Sequence, residues 1–236
     1  MQKKFRPCNT AVEYGKDTAD RERVGYMMKV SGERPAEMMH FLQPYMGERF
    51  TESCRWIQAE TDTRAAEIWA GLKDTICRVL QDADVLQKQK KKGGIQYLAF
   101  SFMQYGVYMD RLEMRVEALD DNFYLDGQET AGFYRAEFLQ DRYMEDLAFL
   151  KRKAGEKYVR MQDYELEEIK KEYAGFFSSV LLRMMQGLTG LVTETVKESG
   201  VLTTDRFMVL YGEYMERAVI LYREEEKDEI FYSGNE

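Results

Sequence analysis

A single histidine limits the chemistry this chain can do. His40 stands three residues after Glu37, and a Glu-x-x-His step puts both side chains on one helical face, as in carboxylate-bridged metal centres of helical bundles. Such centres use the motif twice, and this sequence has it once. No metal is assigned, and Glu37 with His40 stands as an incomplete pair; a surface or packed histidine is the plainer expectation. Cys8, Cys54 and Cys77 form an odd, scattered set, which suits reduced thiols better than a disulfide framework. For Cys54 or Cys77 to act as a nucleophile with an imidazole base, that base would have to be His40.

Other groupings have structural explanations. Lys88, Lys90, Lys91 and Lys92 precede Gly93 and Gly94, so they read as cations at the negative pole of a helix that ends there, rather than as a phosphate-binding patch. The net charge of −8 also opposes attraction to a nucleic-acid backbone. Asp120, Asp121, Asn122 and Asp126 lack the order and closing glutamate of a calcium loop, and read as a solvated turn. The sequence contains no Walker A loop, no dinucleotide-binding glycine fingerprint, no nucleophile elbow and no paired C-x-x-C. We assign no catalytic residue and no cofactor.

What remains is an aromatic load of 16 Tyr, 13 Phe and 2 Trp. Tyrosine joins an apolar ring to a polar tip and serves both core edges and binding surfaces. Tyr97, Phe100, Arg111 and Arg115 could converge as a ligand-binding group in a pocket between a hairpin over 95–125 and the neighbouring helices.

The elements that would position these residues follow from apolar spacing. All three prolines, Pro7, Pro35 and Pro44, lie in the first 44 residues, which permits long helices downstream. Pro35 suits a first turn and Pro44 should break that helix. A second piece covers 48–59, and Thr61 or Asp62 caps a third with the stripe Ala65, Ile68, Leu72, Ile76, Val79, Ala83 and Leu86. Leu98, Phe100 and Phe102 then alternate with Tyr97, Ala99 and Ser101, and 111–118 alternates charged with apolar residues, the period of two of a half-buried strand. A third strand over 123–125 would complete a meander. Three further helices carry the stripes 136–150, 166–191 and 207–221, the last two meeting near Gly200 as an ordinary helical hairpin rather than a DNA-reading one.

The expected fold class is thus mainly α with a small antiparallel β-meander (α+β), on a helical bundle-like body of about five to six helices. Residues 1–34 form an N-terminal arm, 35–230 a single domain with the meander at about 95–126, and 231–236 a tail. No apolar run reaches the length of a membrane span and no cleavable leader is legible, so a soluble cytoplasmic protein is expected. The leading functional expectation is a non-catalytic interaction or regulatory protein, with a protein partner or homodimer as its natural form. The alternatives are a small-molecule-binding protein or enzyme using the aromatic pocket, and, less in keeping with the charge, a nucleic-acid-binding regulator.

Overall fold

The computed structural model describes residues 34–224; the expected N-terminal arm and C-terminal tail lie outside the described residues, apart from Arg34. Helix carries most of what is described, but the architecture corrects the expected one. Among the described residues there are four α-helices and a five-stranded mixed sheet, not five to six helices beside a small meander.

Helix α1 (Arg34–Lys88) joins the three pieces expected separately, and it runs through Pro44. Proline removes the bond to the carbonyl of His40, but both residues are exposed, so water can satisfy that oxygen. On the opposite face Met38, Leu42 and Met46 continue the buried stripe and hold the helix together. The bend comes at Arg64, with φ −113° and ψ 20°. There Thr61 and Thr63 donate their hydroxyls back to the carbonyls of Ile57 and Ala59 at 2.7 and 2.8 Å. Such back-bonding bends a helix rather than capping a new one.

Strand β1 (Ile95–Phe102) leads through a short helix α2 (Gln104–Tyr108) to β2 (Glu113–Leu119), its antiparallel neighbour. The segment 123–125, expected as a strand, is a single 3-10 turn; the third strand is β3 (Ala131–Arg135), antiparallel to β2. Helices α3 (Glu137–Lys157) and α4 (Asp163–Ser199) follow. After Gly200, in the left-handed conformation at φ 71°, the chain enters β4 (Thr203–Glu213) and β5 (Ala218–Arg223) where a last helix was expected. β4 lies parallel to β1 and β5 antiparallel to β4, giving the order β3-β2-β1-β4-β5. The expected helical hairpin is therefore a helix followed by two strands.

The main core joins the helices to one face of this sheet: Leu98, Phe100 and Phe102 of β1, Met114, Val116 and Ala118 of β2, and Phe207, Val209 and Tyr211 of β4. The first half of α1 packs with α3 and α4 through Leu42, Met46, Tyr143, Leu150, Tyr173 and Phe177. Its second half lies over the sheet, where Gly132 sits beneath Thr75 and Val79 and the Tyr134 hydroxyl donates to the Ile68 carbonyl at 3.4 Å. The other sheet face carries a separate cluster of Ala99, Leu119 and Leu210 with Tyr97, Phe123, Tyr124 and Met208, to which, among the described residues, no α-helix contributes. No helix among the described residues is long and apolar enough to cross a membrane.

Candidate binding site on the helix-free sheet face

Strand register places small residues at the middle of this face. Ser101 of β1 stands between Arg115 of β2 and Gly212 of β4, and Ala99 between Glu117 and Leu210. Beyond β2, Arg115 and Glu117 face Phe133 and Ala131. A row of Ala, Ser and Gly leaves a hollow in a sheet surface, yet Ala99 and Ser101 are buried. Aromatic rings roof it. Phe123 and Tyr124 come from the 3-10 turn and Tyr214 from the turn after β4. Their centroids run in an arc from Tyr97: 4.9 Å to Phe123, 4.3 Å on to Tyr124 and 5.7 Å on to Tyr214. The seam between the two halves of the roof is closed by Met215 N–H donating to the Tyr124 hydroxyl at 3.4 Å.

Arg115 is the charged centre. Its Nη2 lies 2.9 Å from Glu117 Oε1 and 2.5 Å from Glu129 Oε1, and its guanidinium lies 5.1 Å from the Tyr214 ring and 5.8 Å from that of Phe133. Burial works against the Arg115 charge, but hydrogen bonds to Glu117 and Glu129 outweigh it and raise its pKa. The Glu117 side chain is 4% exposed. Arg115 Nε and Glu117 Oε2 are both buried without a hydrogen-bond partner, although polar atoms removed from water are nearly always paired. Next along β2, Glu113 pairs with Arg135 at 3.3 Å.

The 3-10 turn is held from below. Lys92, its side chain fully buried, donates to Asp126 and, at 2.7 Å, to the Gln128 carbonyl. Asp126 also accepts the amides of Asp120 and Gln128 at 3.2 and 2.9 Å, and Asp120 that of Asn122 at 2.9 Å. Burial alone would raise the Asp126 pKa; Lys92 and these amides together pull it below the usual carboxylate range. The acidic turn is thus organised around an internal lysine. Helix α1 ends at Lys88, paired to Asp84 at 2.5 Å, and the left-handed residue is Lys90 at φ 57°, not Gly93.

Of the four residues grouped from the sequence, Tyr97 and Arg115 reach this face. Phe100 points the other way into the main core with no exposure, and Arg111 is exposed in the link before β2. The interface between hairpin and helices, where the pocket was expected, is filled by Leu98, Phe100, Phe102, Met114 and Val116. Glu37 and His40 are both exposed on α1, and among the described residues no group of three His, Cys, Asp or Glu side chains could hold a metal. Cys54 follows His40 on the same helix by fourteen residues, about 21 Å at 1.5 Å per residue, which is too far for it to serve as that thiol's base.

Two features escaped the sequence reading. In the sequence Glu117 is one charge among four in an alternating strand. Asp146 is fully buried between α1, α3 and α4. It accepts from Arg49 Nε at 2.7 Å, the Tyr173 hydroxyl at 2.8 Å and Ser53, while Arg142 donates to Ser53 at 2.8 Å. The signal was available: Asp146 falls within the apolar stripe of Leu139, Tyr143 and Leu150, and Ser53 within that of Met46 and Ile57. Comparison with known proteins returns no match among family models, curated proteins or solved structures.

Proposed function

We propose that this protein is a non-catalytic interaction module that docks an extended segment, above all a second copy of itself, along the outer edge of β5, which no strand among the described residues pairs with. The observation that carries this reading is the edge itself. From Ala218 to Tyr222 the strand has no charge and no proline, and Val219 and Ile220, on opposite faces of the sheet, are 49% and 47% exposed. Edge strands normally carry charges, proline or a cover that discourages pairing. β5 carries a bulge at Leu221, between its pairings with Val209 and Leu210, and a charge at its last residue, Arg223, which leaves Ala218–Ile220 regular and uncharged.

An open groove of about 630 Å³ runs between this hairpin and α4, lined by Ser178, Leu182, Tyr211 and Val219 among others. It gives room to alternate side chains of an added strand, as strand addition requires. A second copy is the occupant in the leading position because a two-fold axis sets an edge strand antiparallel to its own mate. A two-fold related β5 would continue the sheet, satisfy both free edges and close the assembly. The most deeply buried acidic group of the helical layer, Asp146, is saturated by Arg49, Ser53 and Tyr173, which suits a framework role better than proton transfer.

Light scattering after size-exclusion chromatography tests the proposal. The expected result is a dimer that Val219→Lys or Ile220→Lys converts to a monomer with unchanged circular dichroism. A strict monomer over the whole accessible concentration range, or a dimer indifferent to both lysines, would overturn it.

A further inference from the structure

Independently of the β5 edge, we infer that the Arg115–Glu117 pair is an incomplete recognition site for a planar heterocycle with a lactam edge, a ring carbonyl beside a ring N–H, as in guanine or uracil. Nε shares its carbon with Nη2, and Oε2 shares its carbon with Oε1. Because Nη2 and Oε1 already meet at 2.9 Å, the two buried open valences, one donor and one acceptor, belong to groups already in contact. A lactam edge presents the complement: its carbonyl accepts from Nε–H and its N–H donates to Oε2.

The surroundings suit the rest of such a ring. Tyr214 and Phe133 flank the guanidinium, Tyr124 meets Tyr214 edge-on, and aromatic faces accept planar heterocycles by stacking. The floor, Ala99, Ser101 and Gly212, is without bulk. The roof above it is two separate turns, and among the described residues the seam between them is held by a ring contact and a 3.4 Å hydrogen bond. Parting that seam admits a ring without disturbing the main core, which lies on the other side of the sheet. A lone water between Nε and Oε2 would satisfy the same two atoms, so the test must separate water from ligand.

Guanosine, uridine and, as a ring without a lactam edge, benzyl alcohol are titrated into the full chain and followed by thermal shift and by the NMR signals of the tyrosine rings. The expected result is a shift with guanosine or uridine and none with benzyl alcohol. Glu117→Gln and Tyr214→Ala, each with unchanged circular dichroism, should weaken that binding at least about tenfold. Glu129→Gln should weaken it far less, because the Glu129 side chain is 69% exposed. Silence toward both nucleosides overturns the inference. So does binding that Glu117→Gln leaves intact, or a crystal structure soaked with guanosine in which a water alone bridges Nε and Oε2.

Discussion

Asp146 and Glu117 are both buried carboxylates, and they differ in how fully they are satisfied. Asp146 has three direct hydrogen-bond donors, so Asp146→Ala should leave Arg49 Nε and the buried Tyr173 and Ser53 hydroxyls without their acceptor and destabilise the chain by about 3 kcal/mol, the lower end for a broken buried pair. Glu145→Ala removes only an exposed partner of Arg49 and should cost less than about 1 kcal/mol; chemical denaturation of both variants separates the two. For the half-satisfied pair, Arg115→Met should be costlier than Glu117→Gln, since it leaves Glu117 buried and alone. The double variant Arg115→Met/Glu117→Leu should recover much of the loss, and a double-mutant cycle measures that coupling. At this scale the sequence was legible where types stand out and silent where neighbours decide. Tyr97 and Arg115 share the helix-free face, as the alternation in their strands allows. Phe100 and Arg111 were misplaced because membership of a face depends on which side of the sheet the helices cover, and no local pattern states that.

Elements were legible where the apolar period was long. Of the stripe from Ala65 to Leu86, Ile68, Leu72, Ile76, Val79 and Ala83 are buried while Ala65 is exposed and Leu86 half-buried; Leu139, Tyr143 and Leu150 of α3 are buried as well. The segment 207–221 failed for a definite reason. β4 lies beside β1 within the sheet and is covered on both faces, with Phe207, Val209 and Tyr211 toward the helices and Met208 and Leu210 away from them. A strand buried on both faces reads as an unbroken apolar run, from which a helical stripe can also be picked. β-branched and aromatic residues, with Gly212 at the hairpin, were the better guide: a Cβ there would stand 2.4 Å from the Arg217 carbonyl. Two other glycines test the helix boundaries. Gly200 has open space around it but a positive φ, so Gly200→Ala should destabilise by about 1 kcal/mol through backbone strain alone. Gly47 sits in open space inside α1, so Gly47→Ala should stabilise by about 0.5 to 1 kcal/mol. Thermal melts of the two variants should move in opposite directions.

For the molecule as a whole, both ends of the pH scale act through buried groups. At the acid end the Asp126 pKa is depressed in the fold, the Lys92 contact and two amides outweighing its burial. A depressed carboxyl contributes stability that is complete above the unfolded value of about 3.9 and is lost as pH falls through the lower folded value. At the alkaline end burial pushes Tyr134 up to about 12 and raises Tyr143, Tyr173 and Tyr211 as well. Their contribution is complete below the unfolded tyrosine value of about 10 and is lost as pH rises through the folded ones. Each ionised tyrosine also adds to a chain already at −8, so self-repulsion works in the same direction. Stability measured by urea unfolding should therefore hold a plateau from about pH 5 to 9 and fall on both sides. Asp126→Asn should lower the plateau while flattening the acid limb, so that variant and parent converge as pH falls below about 4. Tyr134→Phe should leave the acid limb unchanged and make the alkaline limb shallower. If the parent and Asp126→Asn curves run parallel through the acid limb, the Lys92 latch beneath the aromatic roof contributes nothing to holding it closed, and the roof rests on its ring contacts alone.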